Sequence, residues 1–351
     1  MAVQISRKGF GRLPDGTAVD LFVLDNGRGL QVSVTSYGAI ITSVQAPDRN
    51  GTRGEVTLGH DSIEPLLARH PYYGAFVGRV ANRISDGGFT LAGTRYDVVN
   101  NNGGVHLHGG ERGFDRFVYE AETEERDDGV FVHFRRTSPD GEEGYPGNLA
   151  VRRSVGVTDD MRLVLEFEAT TDKTTVVNLT DHTYWNLGEP TIMDHEVQLN
   201  ADAYVEVTDA IPTGKTPAVD DSPFDFRTYK PVRRDFEDVL KTGANGFDHS
   251  WVIKGWDAGD TSRLLEAGRA RCAATGREMI VRTTYPAVQF YSGNFLPGQT
   301  GRDGSTLTGQ EALCMECQYY PDSPNRPEFP SIELRPGAVY NHRTEHEFRT
   351  F

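Results

Sequence analysis

The chain has 351 residues, 37% of them hydrophobic and 10% aromatic, enough to bury a substantial core. Its 36 basic residues stand against 51 acidic ones, a formal net charge of -15, which repels phosphate backbones and anionic lipid. Neither nucleic acid nor a membrane surface is therefore the expected partner.

The N-terminal stretch MAVQISRKGFGRLPDG lacks an apolar signal segment, and no run approaches membrane-spanning length. The three cysteines, Cys272, Cys314 and Cys317, are few and odd in number, which fits a reducing cytoplasm better than a disulfide framework. In chain order, residues 30–37 (LQVSVTSY), 130–137 (VFVHFRRT), 163–170 (LVLEFEAT) and 287–294 (AVQFYSGN) have period-two character, with PDG, DDG and TDD turns between such runs. The pattern predicts an all-β fold, a large antiparallel sandwich, rather than alternating βα units. Helical periodicity is confined to residues 62–70 and a shorter stretch at 235–242. Glycine and proline are spread evenly, with no repeat and no linker, so residues 1–351 are expected to form a single domain.

No P-loop, no G-x-G-x-x-G leading into a helix and no G-x-S-x-G elbow is present, so no nucleotide cofactor is expected. Cys314 and Cys317 form C-M-E-C inside a strand-like run, where positions three apart face opposite ways and cannot share one ion. The same alternation puts Glu316 on a face with Cys314 and Gln318. His106 and His108, two apart and followed by Glu111, make a weak match to a cupin-like metal site.

Residues 179–187 (LTDHTYWNL) pose the sharpest question. As a strand they show Asn178, Thr180, His182, Tyr184 and Asn186 on one face and Val177, Leu179, Asp181, Thr183, Trp185 and Leu187 on the other. A row of neutral hydrogen-bonding groups around one titratable histidine suits a groove for a neutral, hydroxyl-rich ligand.

Taken together, GRVANRI, HLHGG with GFD, SPDGEEGYPG, NLTDHTYWNL, NGFDHSW, VQFYSGNF and CMECQYYPDSPNRPEFPS resemble the aldose 1-epimerase (galactose mutarotase) family. The motifs fall in the family's order from about Gly78 to Leu334. The resemblance implies an antiparallel supersandwich of the galactose mutarotase type with few short helices, working on a free aldose without cofactor or metal, as a monomer or homodimer. By motif match the catalytic residues are His182 and Glu316, and the sugar-binding ones Asn82, Arg83, His108, Tyr184, Asp248 and Gln289. Interconverting anomers needs a base for the C1 hydroxyl and an acid for the ring oxygen. Glu316, ordinarily near pKa 4.3, is expected ionised with help from Arg83, and His182, ordinarily near 6.5, is expected to supply the proton. A carbohydrate-binding protein without catalysis is the competing expectation, and the His106/His108/Glu111 metal enzyme a more distant one.

Three positions depart from the family's pattern. Asp181 stands where Asn is common; an indirect role toward a neighbouring loop predicts that Asp181→Asn is tolerated. Cys317 replaces a frequent Thr and is expected only to pack. His106 replaces a small polar residue and is expected at the groove rim, where it would tune selectivity.

Overall fold

The computed structural model describes residues 3–68 and 70–351. Its architecture follows from apolar–polar alternation. In the strand Arg162–Thr171, Leu163, Leu165, Phe167 and Ala169 enter the core, while Glu166 and Glu168 face outward and pair with Arg343 and Arg152. This strand lies inside a nine-stranded sheet ordered Glu120–Arg126, Gly129–Ser138, Leu149–Thr158, Arg162–Thr171, Tyr340–Thr350, Arg277–Thr283, Leu265–Cys272, Glu196–Leu199 and Lys230–Pro231.

Five N-terminal strands, from Gln4–Arg12 to Arg53–Glu55, form a second sheet in sequence order. It packs on the nine-stranded one, with Phe22 edge-on to Phe134 at 5.8 Å between ring centroids. A third sheet consists of Ala203–Tyr204, Asp248–Val252, Ala287–Tyr291 and Cys314–Gln318. Its Met315 approaches the large sheet at Gly268, where even a Cβ would come within 3.0 Å of the methionine methyl. One cluster of buried apolar side chains joins the three sheets, from Phe22 and Val34 through Phe134 and Phe167 to Trp251, Phe290 and Met315. The result is the expected all-β antiparallel sandwich. Among the described residues no helix is long and apolar enough to cross a membrane.

The helical expectations shrink. Of residues 62–70 only Glu64–Leu67 is helical, ended by extended backbone at Ala68; Arg69 lies outside the described residues. Residues 235–242 contribute Phe236–Leu240, entered through a 3-10 turn at Val232–Asp235. Residues 179–187 are strand only at Thr180–His182, which pairs with Ala75–Val77. There Asp181 Oδ1 accepts the Thr183 N–H at 3.0 Å, a local bond that competes with the ladder. The chain rejoins a neighbour at Trp185, bridged to Thr57 and Leu313.

Candidate active site

Register positions one wall of the site. Asp248, Tyr291 and Cys314 stand in a row across three strands of the four-stranded sheet, and Ser250, Gln289 and Glu316 form the next row, all on one face. The other face, with Trp251, Phe290, Met315 and Cys317, belongs to the core. Cys314 and Cys317 thus point apart as expected, and both thiols are free.

His182 comes from the neighbouring strand, tied to Cys314–Gln318 and its approach on both sides. Thr180 Oγ1 donates to Cys317 O at 2.8 Å, and Trp185 and Leu313 exchange backbone bonds of 2.7 and 2.9 Å. The tether brings His182 Nε2 to 3.6 Å from Glu316 Oε1, with Cys314 Sγ 3.5 Å from Nδ1.

A third wall rests on the two-residue pairing of Arg83–Ile84 with His106–Leu107. Asn82 (φ 60) and His108 (φ 50), on either side of it, are both left-handed, a conformation uncommon outside glycine. They bind each other: His108 N–H donates to Asn82 O at 3.0 Å and Asn82 N–H to His108 Nδ1 at 3.3 Å. With Nδ1 accepting, a neutral His108 carries its proton on Nε2 and offers a donor to the cleft. Gly109 must follow, because a Cβ there would lie 1.8 Å from Gly78 O.

The walls enclose a cleft of about 1070 Å³, at the upper end of the roughly 300–1,000 Å³ common for ligand sites. Asn82, Arg83, His108, His182, Tyr184, Asp248 and Glu316 all line it. Gln289 does not: its Nε2 donates to Asp248 Oδ1 at 2.8 Å, while Arg83 Nη2 approaches Asp248 Oδ2 at 3.9 Å. Tyr184 spends its hydroxyl on Pro71 O at 2.8 Å, so it serves as an aromatic wall 5.0 Å from the His182 ring and not as a donor. Tyr72 and Tyr291 went unremarked in the sequence. Tyr72 sits 4.7 Å from the His108 ring and 5.8 Å from that of His182, and Tyr291 lies 6.2 Å from His182. Strand alternation alone could have placed Tyr291, two residues from Gln289; nothing in the sequence marks Tyr72, which also has a left-handed backbone (φ 63).

His106 does not reach the rim. It is fully buried, with Nδ1 donating to Val99 O and Nε2 accepting from the Tyr145 hydroxyl, each at 2.6 Å. Both nitrogens are committed and Glu111 is exposed, so the His106/His108/Glu111 triad does not assemble. The described side chains that converge with metal-like spacing are His108, His182 and Glu316, whose ligating atoms lie within 4.8 Å of one another. The His108 Nε2 proton faces that point and would have to leave before a cation could bind there.

Burial governs the charges. It lowers the His182 pKa to about 4. It also raises that of Glu316 well above the usual carboxylate range, helped by the negative charges of Asp248 and Asp181 and opposed by Arg83. Burial thus disfavours an ionised Glu316 and a protonated His182 alike in the ligand-free cleft, so the ionised Glu316 expected from its ordinary value has burial against it and only Arg83 in its favour. Asp181, on the far side of the strand, is buried and paired with Arg153.

The architecture is that of the mutarotase-type sandwiches: the crystal structure of galactose 1-epimerase from Lactobacillus acidophilus NCFM matches with a TM-score of 0.85 at 26% identity, over 99% of each chain. A profile of the aldose 1-epimerase family matches residues 20–347. The chain is 42% identical to galactose mutarotase from Bos taurus over 99% of each chain, and 35% identical to aldose 1-epimerase from Escherichia coli (strain K12) over 95% of this chain and 96% of that one. The chain belongs to the aldose 1-epimerase family, and it is an isomerase.

Proposed function

We propose that the protein interconverts the α and β anomers of a free aldose such as galactose or glucose, with Glu316 and His182 as its acid–base pair. The observation that carries this reading is the 3.6 Å approach of His182 Nε2 to Glu316 Oε1, both buried at the wall of a cleft with ample room for a pyranose. Moving the shared proton from Glu316 to His182 creates base and acid together, and hydrogen bonds from the bound sugar offset the cost of separating charge in a dry site. Glu316 then takes the C1 hydroxyl proton while His182 protonates the ring oxygen. The ring opens to the aldehyde, C1 rotates about its bond to C2, and reclosure returns both protons.

The rest of the cleft suits a neutral polyol. His108 offers a donor at Nε2, Arg83 several more, and Asp248, held by Gln289, accepts from hydroxyls. All these residues come from one chain, and no step calls for a redox group. Three buried free thiols suit a reducing cytoplasm.

Polarimetry on freshly dissolved α-D-galactose and α-D-glucose tests the reading with wild type, Glu316→Gln and His182→Asn. Wild type is expected to reach the final rotation faster than the spontaneous reaction, and each variant to lose ~10²–10⁴-fold. Relaxation at the spontaneous rate in every sample would leave a carbohydrate-binding protein on this fold. Exhaustive chelation is expected to leave the wild-type rate unchanged; a rate lost to chelator and restored by Zn²⁺ would instead assign His108, His182 and Glu316 to a metal.

A further inference from the structure

Behind Glu316 lies a patch of polar side chains that the acid–base pair does not account for. Ser250, Gln289 and Glu316 occupy one registered row across three strands, and Gln318 follows two residues after Glu316 on the same face. Their exposures are 1, 3, 2 and 0%. Ser250 Oγ, Gln289 Oε1, Glu316 Oε2 and both amide atoms of Gln318 have no hydrogen-bond partner within the protein. In the row Gln289 stands between Ser250 and Glu316, so the side chains next to Glu316 are Gln289 across the strand pair and Gln318 two residues along.

Unpaired buried polar atoms weaken a fold, and an apolar residue of the same shape would do better at each position. Five such atoms, contiguous and centred on one carboxylate, mark a place where stability yields to function. Their chemistry is also matched to the carboxylate. Ser250 Oγ and Gln318 Nε2 are donors, which the anion needs; Gln289 Oε1 and Gln318 Oε1 are acceptors, which the protonated acid needs. A group that alternates between acid and anion in each turnover requires both.

We propose that Gln318 and, through Gln289, Ser250 are positioning residues for the reaction: they form a buried polar cradle in which Gln318 Nε2 turns onto Glu316 Oε2 once the proton leaves, stabilising the carboxylate in the step where it acts as base. The inference rests on the mutarotase reading above. Gln289 completes the cradle while its Nε2 orients Asp248, so one side chain links the base to a residue facing the sugar.

Gln318→Met and Ser250→Ala test this by steady-state kinetics on galactose, pH profiles and thermal melting. Gln318→Met is expected to lower kcat at least tenfold with KM within twofold. It should also move the alkaline limb of kcat/KM, where the proton shared by Glu316 and His182 is lost, to higher pH, since the anion has lost a donor, and leave Tm equal or higher. Ser250→Ala should change in the same directions by less. Unchanged kcat in both variants overturns the inference. So does a fall in kcat that merely tracks a falling Tm with the alkaline limb unmoved, the signature of a structural role. A wild type that leaves galactose at its spontaneous rate would overturn the mutarotase reading itself, whereas an active wild type beside a fully active Gln318→Met overturns the cradle alone.

Discussion

Arg153 is a guanidinium with no solvent exposure, and Asp181 is the carboxylate that neutralises it. Its Nη1 donates to Ala39 O at 2.7 Å, so the pair clamps the Thr180–His182 strand to the turn before the strand Ile41–Pro47. Removing one partner of a buried ion pair leaves the other charge uncompensated, a loss of ~3–5 kcal/mol. Asp181→Asn is therefore expected to lower stability by about that amount, read as a drop in the urea midpoint, contrary to the tolerance its sequence context suggested. A shift under ~0.5 kcal/mol would mean that Arg153 finds another partner. The motif could not reveal this, because the arginine lies 28 positions upstream on another strand. The same burial sets the pH dependence of catalysis. On the proposed mechanism the active state holds one proton between His182 and Glu316, and the acid limb is expected when a second proton binds, near the lowered His182 value of about 4. Activity should stay level from pH 7 to ~5.5, where an ordinary imidazole would already titrate. A limb centred near 6.5, in enzyme still folded by circular dichroism, would contradict it.

At the scale of elements, the site depends on how one short strand is held against another. Thr180 Oγ1 bonds Cys317 O at the strand's start, and the Trp185–Leu313 bridge holds it past His182. Thr180→Val removes the first tie almost isosterically. It is expected to cost ~1 kcal/mol of stability and to lower kcat roughly fivefold or more, because a displacement of an ångström or less matters to proton transfer. Unchanged kcat with the expected stability loss would show that Trp185 suffices. Long alternating strands such as Gly129–Ser138 and Arg162–Thr171 were legible because one face is core and the other is not. Residues 179–187 were legible only in part, since a side-chain bond from Asp181 overrides the ladder after His182. The face of Glu316 followed from alternation, but its cross-strand neighbours Gln289 and Ser250 depend on a register that sequence does not state. The left-handed Asn82 and His108, which aim one wall of the cleft, leave no periodic trace at all.

Across the whole molecule, all ten histidines are buried, and in every one the pKa is lowered with desolvation as the leading cause. His106, His182, His195 and His249 fall to about 4, and His70, His342 and His346 to about 3. Well above pH ~6.5, from about pH 7.5, neither folded nor unfolded chain protonates them and stability is whole. Between there and the lowered values the unfolded chain takes up protons that the fold refuses, so stability is lost as pH falls through that window. Each such group removes up to ~1.4 kcal/mol per pH unit. Buried Glu316, Asp115 and Asp181, whose pKa values are raised, act in the opposite sense, but they are few. Against an ordinary stability of ~5–15 kcal/mol, a handful of histidines is enough to remove much of the stability by pH ~5, so loss of activity below that pH follows unfolding before the His182 limb is reached. Urea midpoints measured at pH 7.5, 6.5, 5.5 and 5.0 should begin to fall over the first step and then fall more steeply at constant m-value, with several protons taken up per molecule on unfolding. Midpoints that stay flat to pH 5 would mean that the buried imidazoles accept protons in the native fold, and the neutral His182 on which the acid limb depends would fall with them.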